Sequence, residues 1–194
     1  MEVREVVPAE RAWVEDVLVR RWGSTDIAGR GGTLNAAELP GLVAENEGAR
    51  VGLLTYHETD GQLEVVTIDA LRSSIGVGTA LLQNVCQLAV THQCHRVWLV
   101  TSNDNLRALR FYQRRGFRLV AVHVGGVDAA RVHKASIPTV GLDGIPVHDE
   151  IELEWRRPPP TVGSKDTEAG TSKGDRVPEP AEEVEHAVSD RLGR

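Results

Sequence analysis

The architecture is indicated by one stretch, Ile75-Gly76-Val77-Gly78-Thr79-Ala80-Leu81-Leu82, which follows closely on the apolar run from Leu63 to Ile68. The pattern predicts a strand, a turn that contains glycine, and an amphipathic helix over residues 77–92. Amide groups in the first turn of a helix have no intrahelical acceptor, and the helix dipole favours negative charge there. The stretch therefore indicates a helix start that binds phosphate, although glycines at such a junction also serve close packing alone.

The overall composition indicates one globular domain. The 194 residues are 41% hydrophobic and 26% charged, which is sufficient for a sizeable core. The net charge of −6 argues against sequence-independent binding to nucleic acid or to an anionic membrane. The first residues show no signal-peptide pattern, and no apolar run approaches the roughly 20 residues of a membrane span. We therefore expect a cytoplasmic protein.

The two cysteines, Cys86 and Cys94, lie in or just after the predicted helix. In a reducing compartment they are not expected to form a structural disulfide. With His92 and His95 they form the pattern Cys-x5-His-x-Cys-His, whose spacing matches no familiar zinc motif. We predict no metal site.

The composition changes after Arg157. Residues 158–194 are rich in proline, glycine, serine and acidic residues and contain no Phe, Trp or Tyr. This composition predicts a disordered polar and acidic C-terminal tail. The folded domain is therefore expected to comprise residues 1–157. Within the tail, residues 180–192 carry apolar side chains at helical spacing, at Ala181, Val184, Ala187, Val188 and Leu192. A solvated tail is the favoured interpretation, and a short helix formed on a partner is the alternative.

Within residues 1–157 the apolar pattern alternates between the strand and helix periods. Strands are predicted at 3–7, 41–45, 50–57, 62–68, 96–101, 117–124 and 150–155, with a tight hairpin at Asp60-Gly61. Helices are predicted at 8–22, 77–92, 104–115 and 128–135, and residues 22–32 are predicted as a flexible connection. This order is that of an α/β protein whose mixed central sheet begins antiparallel and contains a β–α–β crossover.

A second motif follows the strand at 96–101. It reads Asn105-x-x-Ala108-x-x-Phe111-Tyr112-x-x-x-Gly116-Phe117. This string resembles the second half of the acyl-CoA-binding region of GNAT-type N-acetyltransferases, and the glycine turn at 76–78 resembles the first half. The resemblance is clear over residues 50–120 and implies the GNAT fold, an α/β arrangement in which helices flank a mixed central sheet. It also implies acetyl-CoA as the acyl donor.

The resemblance assigns a part in binding CoA to several positions. It implies that main-chain amides at the start of the helix hold the pyrophosphate, and that the main chain at the end of the preceding strand pairs with the pantetheine arm and polarises the thioester carbonyl. The implied residues are Ser74, Ile75, Gly76, Val77, Gly78 and Thr79 for the first role and Thr67 and Ile68 for the second. One position departs from the family: Ser73 stands where a long side chain, Arg or Gln, normally braces the loop.

Asn105 and Tyr112 complete the implied site. The resemblance gives Asn105 a hydrogen bond to the cofactor, with helix capping as its alternative role. Tyr112 lies two helical turns further along the same face. A phenol with a pKa of about 10 can protonate a departing thiolate, so Tyr112 is interpreted as a general acid that also contacts CoA. Its alternative role is that of a core aromatic residue.

A general base is needed because an amine with a pKa of about 10.4 is mostly protonated at neutral pH. Glu64 is the first candidate, since it is polar within an apolar strand and the family commonly uses a strand carboxylate or a water chain there. Asp69 ends the same strand, but simple alternation places its side chain on the opposite face from Glu64. For both, a solvent-facing carboxylate is an equally supported alternative. His148, Asp149 and Glu150 are further candidates on the acceptor side.

These observations favour an enzyme that transfers an acetyl group from acetyl-CoA to a primary amine of a small molecule or peptide, by direct attack in a ternary complex. The alternative is an acyl-CoA-binding sensor or scaffold without turnover. A P-loop hydrolase is excluded because no Gly-Lys-Ser/Thr follows the glycines. Residues 22–34 and 124–148 are expected to border the acceptor pocket. The acceptor itself stays open, as does the oligomeric state, for which a homodimer is one option.

Overall fold

A seven-stranded mixed sheet forms the centre of the molecule in a computed structural model that describes residues 1–29, 32–72 and 76–157. Its strands are β1 (Glu2–Glu5), β4 (Gly41–Asn46), β5 (Ala49–Thr59), β6 (Gln62–Ala70), β7 (Arg96–Ser102), β8 (Arg118–His123) and β9 (Glu150–Arg156). The helices are α1 (Arg11–Trp22), α2 (Val77–Thr91), α3 (Leu106–Gln113) and α4 (Gly126–His133). The predicted tail, 158–194, and the predicted loop residues Ser73, Ser74 and Ile75 lie outside the described residues.

The predicted topology is confirmed. Strands β1, β4, β5 and β6 pair antiparallel, and β6 pairs parallel with β7 after the crossover through α2. The last strand, β9, inserts antiparallel between β7 and β8. The sheet is therefore mixed, with one central β–α–β unit.

Helices cover both faces of the sheet. The larger cluster lies under α2 and α3 and is built around fully buried side chains such as Leu81, Val85 and Leu99. The smaller cluster lies on the other face, where Val14, Leu18 and Trp22 of α1 pack on the sheet. We call these two sides the α2/α3 face and the α1 face. None of the helices in the described ranges is both long and apolar enough to cross a bilayer.

The segment predicted as a flexible connection is in part a hairpin, so that prediction was wrong. Strands β2 (Asp26–Gly29) and β3 (Gly32–Asn35) pair antiparallel, with Ile27 opposite Leu34. Ile27 is buried in the α1 cluster, and Leu34 packs against that cluster. A four-residue strand carries too little alternation to be distinguished from a loop, whereas its burial against α1 is a tertiary contact.

The predicted orientation of Asp69 was also wrong. Thr55 pairs with Thr67 while the next residue, Tyr56, pairs with Val65, so β6 has one extra residue, Val66. A bulge of this kind shifts the alternation of all later side chains. Asp69 and Glu64 pair with Leu53 and His57, which are four positions apart on β5, and the two carboxylates therefore project from the same face.

Candidate active site

A cleft opens in the middle of the sheet where β6 and β7 diverge. Their parallel pairing covers Gln62↔Arg96, Leu63↔Val97 and Glu64↔Trp98, and among the described residues it extends no further. Beyond this point β6 continues on β5 and β7 continues on β9 up to Ser102. The main chain of residues 65–68 thus borders a narrow gap rather than a neighbouring strand.

The cleft reaches both faces of the sheet. Its lining includes Asn105 and Tyr112 from α3 and also Trp22 from α1. Thr67 and Ile68, predicted to contact the pantetheine arm, form part of its β6 wall. The lining of the cleft thus combines side chains from both faces of the sheet.

The start of α2 lies at the end of β6, as predicted. Gly76 is the N-cap with φ of +77°, a left-handed conformation that glycine adopts without strain, and it is exposed. No acidic residue occupies the first turn of α2, so the positive end of the helix dipole is not neutralised locally. Val77 and Gly78 are buried, and Thr79 is half-buried.

Gly78 also serves close packing, the alternative that the sequence left open for these glycines. A Cβ atom at position 78 would come within 3.0 Å of the Phe111 ring. Since Phe111 belongs to the Asn105–Phe117 string, the two sequence motifs contact each other directly. Gly78 therefore fixes how closely α2 approaches α3.

An arginine that the sequence argument overlooked links the same two helices. The Arg115 Nε and Nη2 atoms donate to Thr79 Oγ1 at 2.8 and 2.5 Å, and Nη1 donates to the Phe111 carbonyl at 2.9 Å. The guanidinium also stacks on the Phe111 ring, 3.8 Å from its centroid. Arg115 thus braces the first turn of α2 through Thr79. Its position directly before Gly116-Phe117 was the one available signal.

Asn105 is the N-cap of α3. Its Oδ1 accepts a hydrogen bond from the Ala108 amide at 3.1 Å, and Asn105 and Ala108 are 2% and 1% exposed. The capping role is therefore present in the structure. Because Asn105 also lines the cleft, capping does not exclude a contact with a ligand.

Tyr112 lies further along α3 and is buried. Its ring packs edge-on against Phe111, with centroids 5.3 Å apart, and at a tilt against Phe117 at 5.9 Å. Tyr112 is thus packed as a core aromatic residue, which is the alternative role considered for it, and it also lines the cleft. These contacts fix the ring, so that a Phe at this position would keep the packing and remove only the hydroxyl.

The candidate bases differ in their surroundings. Glu64 is 8% exposed and is the last β6 residue to pair with β7, exactly where the cleft begins. Asp69 is fully buried; its Oδ2 accepts a hydrogen bond from Trp22 Nε1 at 2.8 Å, and Oδ1 lies 3.5 Å from Arg21 Nε. Asp69 therefore attaches the end of α1 to β6, which is a structural task.

His148, Asp149 and Glu150 hold the β8–α4 turn instead of lining the cleft. His148 Nδ1 lies 3.1 Å from Asp128 Oδ2, and Asp149 Oδ1 accepts from the Gly125 amide at 2.8 Å. Glu150 packs against Gly126, where a Cβ atom would come within 3.0 Å of its side chain.

The two segments predicted to border the acceptor pocket meet at Trp22. Lys134, just after α4, donates from Nζ to the Trp22 carbonyl at 2.9 Å. Partial burial lowers the pKa of Lys134. The same segment is anchored on its other side, because Asp104 Oδ2 accepts from the Leu142 amide at 2.9 Å and Asn103 Oδ1 accepts from the His148 amide at 3.0 Å. Sequence patterns gave no signal for these long-range contacts.

The cysteine and histidine pattern around residue 90 has a local role. His92 Nδ1 lies 2.7 Å from Glu58 Oε2, and the Cys94 thiol lies 3.6 Å from Glu58 Oε1. Burial raises the pKa of both thiols, that of Cys86 to about 12. Such thiols stay protonated at neutral pH.

Comparisons with known proteins agree with this geometry. The family described as "Acetyltransferase (GNAT) family" matches residues 8–117. The uncharacterized protein YdhI of Bacillus subtilis is 39% identical over 137 residues, which cover 70% of this chain and 86% of YdhI. Among solved structures, a GNAT family acetyltransferase from Elizabethkingia anophelis with acetyl-CoA bound superposes with a TM-score of 0.56 at 16% identity, covering 80% of this chain and 97% of that one. A Bacillus subtilis acetyltransferase in complex with CoA gives the same four values.

Proposed function

The chain belongs to the GNAT family of acetyltransferases, as its two motifs predicted, and on that premise we propose that it transfers the acetyl group of acetyl-CoA to a primary amine by direct attack in a ternary complex. The observation that carries this proposal is the cleft between β6 and β7. Its lining comes from the α2/α3 face, which holds both sequence motifs, and from the α1 face, through Trp22. Two solved structures of this fold hold CoA or acetyl-CoA, which supports the same donor here.

Binding of the donor is assigned to the main chain. The main-chain amides of residues 74–79, at a helix start without acidic residues, would hold the pyrophosphate. The main chain of Thr67 and Ile68 would pair with the pantetheine arm, and Asn105 would add one side-chain contact. The donor supplies an activated thioester, and an amide on the β6 wall would stabilise the negative charge that develops on its carbonyl oxygen.

Proton transfer is assigned to two side chains. The amine nitrogen attacks the carbonyl carbon, the carbon–sulfur bond breaks, and the thiolate receives a proton from the Tyr112 hydroxyl. The proton lost by the amine passes to Glu64, directly or through water, since Glu64 lies at the point where the strands separate. No covalent enzyme intermediate is required, because both thiols are protonated and neither lines the cleft.

The test is release of free CoA thiol from acetyl-CoA in the presence of a panel of primary amines. Tyr112→Phe should lower turnover by about 100-fold or more and leave the dissociation constant for CoA near its original value, because only the proton donor is lost. Tyr56→Phe is the matched control. It removes the hydroxyl of the other tyrosine of the chain, which is equally buried but lies on β5.

Unchanged turnover of Tyr112→Phe across the pH range would remove Tyr112 from the acid role. Tight CoA binding without thiol release for any amine would instead favour the sensor or scaffold. Failure to bind any acyl-CoA would overturn both functions.

A further inference from the structure

An apolar groove on the α2/α3 face has no part in the proposed reaction. It is lined by one stripe of α2, by the residues between α3 and β8, and by the end of β9. The lining residues are mainly Leu82, Cys86, Val90, Arg115, Phe117 and Trp155. Val90 is 39% exposed. Grooves of this shape beside a helix are typical sites for an amphipathic helix.

The helix next to the groove is strongly basic. Residues 105–127 contain five arginines and no carboxylate, although the whole chain has a net charge of −6. Arg107, Arg110 and Arg114 are exposed and occupy positions i, i+3 and i+7, so they share the solvent-facing side of α3. Within the described ranges, no carboxylate lies at ion-pair distance from these three arginines.

The chain leaves the described domain beside this groove. Trp155, which forms part of the groove wall, is two residues before Arg157, and the Arg157 amide bonds to the His95 carbonyl at 3.2 Å. The remaining sequence contains residues 180–192, which carry four carboxylates and one cation, Arg191. The same region has an apolar stripe at helical spacing, with Val184, Val188 and Leu192 as its larger members.

We propose that residues 180–192 of this chain bind in the groove beside α2, with the apolar stripe against Cys86, Val90 and Trp155 and the carboxylates towards Arg107, Arg110 and Arg114. Residues 158–179 number 22, and a flexible chain of that length spans about 25 Å on average, which is enough to reach along α2, roughly 22 Å long. A segment tethered at that range has an effective concentration in the millimolar range, so modest affinity is sufficient for occupancy.

Binding of this segment would place negative charge on the helix that carries Asn105 and Tyr112. If the protein binds acetyl-CoA as proposed, the occupied groove weakens the affinity for this anion, and high salt relieves the effect. That consequence rests on the proposed function, whereas the docking itself does not.

The experiment uses the full chain with a reporter thiol introduced by Gln87→Cys, since Gln87 is exposed and lines the groove. The natural thiols compete poorly, because the pKa of Cys86 is raised to about 12 and Cys94 is fully buried. The readout is the rate of maleimide modification at position 87. Reversing Glu182, Glu183 and Glu185 to Lys should raise this rate about tenfold by releasing the segment.

Two controls make the test specific. Reversing Asp166, Glu168 and Asp175 to Lys changes the charge by the same amount outside the segment and should leave the rate unchanged. Reversing Arg107, Arg110 and Arg114 to Glu should also expose the reporter thiol. Combining these three changes with the Lys substitutions at 182, 183 and 185 should restore protection, because the charges are then complementary again. Salt at 1 M, where the Debye length is about 3 Å, should also expose it.

Equal rates in the original chain and in the Glu-to-Lys triple variant would overturn the proposal, as would equal acceleration by the control triple variant. Protection that increases with protein concentration would overturn it in favour of a second copy of the chain. None of these outcomes depends on acetyl transfer.

Discussion

Replacement of Asn105 separates its two roles, helix cap and cofactor contact. In Asn105→Ala, the amide of Ala108 loses its hydrogen-bond acceptor, and Ala108 is only 1% exposed, so water cannot easily replace that acceptor. Loss of an N-cap costs about 1 kcal/mol, up to about 2 where the donor is left unsatisfied. For a domain of this size each kcal/mol corresponds to about 2–4 °C in Tm, so we expect Tm to fall by about 2–8 °C.

The affinity for CoA should fall as well. A single hydrogen bond to a ligand contributes about 0.5–1.5 kcal/mol, which corresponds to an increase in Kd of about two- to twelvefold. Asn105→Ser is the decisive companion variant, because serine caps helices about as well as asparagine but its hydroxyl is shorter than the amide. We expect Asn105→Ser to restore Tm and not the affinity.

The two quantities are measured on the same preparations, Tm by calorimetry without ligand and Kd for CoA by titration calorimetry. A direct contact between Asn105 and CoA is refuted if Asn105→Ser restores the affinity together with Tm, because Asn105 would then act through the cap alone. It is also refuted if Asn105→Ala leaves Tm unchanged, since the capping bond would then contribute nothing.

Two further predictions concern other side chains. Arg115→Met removes the hydrogen bonds to Thr79 and the stacking on Phe111, so KM for acetyl-CoA should rise about three- to twentyfold with little change in kcat. Arg115→Lys keeps the charge without the planar guanidinium and should recover only part of the loss. An unaltered KM would contradict the bracing role. Glu10, bound by Arg4 at 2.8 Å and Arg50 at 3.0 Å, has its pKa lowered to about 2, so its contribution to stability is complete above pH 4.5 and is lost as the pH falls towards 2. Glu10→Gln should therefore lower stability at pH 7 by about 1–3 kcal/mol and flatten the dependence of Tm on pH in that window, whereas parallel curves for the two proteins would speak against it.

Much of the fold followed from local patterns. The apolar run into Gly76 and the helix after it were readable because strands and helices have fixed periods, and because glycine at a positive φ marks a turn. The capping position of Asn105 was readable for the same reason, since a cap needs only three residues of sequence. The order of these elements also indicated the mixed sheet and the parallel β6–β7 crossover.

Other features depend on contacts between distant parts of the chain. The extra residue Val66 on β6 reverses the face of Asp69, and a bulge leaves no trace in a two-residue period. The bond from Lys134 to the Trp22 carbonyl and the brace from Arg115 to Thr79 join residues 112 and 36 positions apart. Periodicity records which side of an element is apolar, but it does not record which element that side meets. The local amino-acid sequence thus specified the helices, strands and motifs, whereas the packing of those elements against one another formed the cleft.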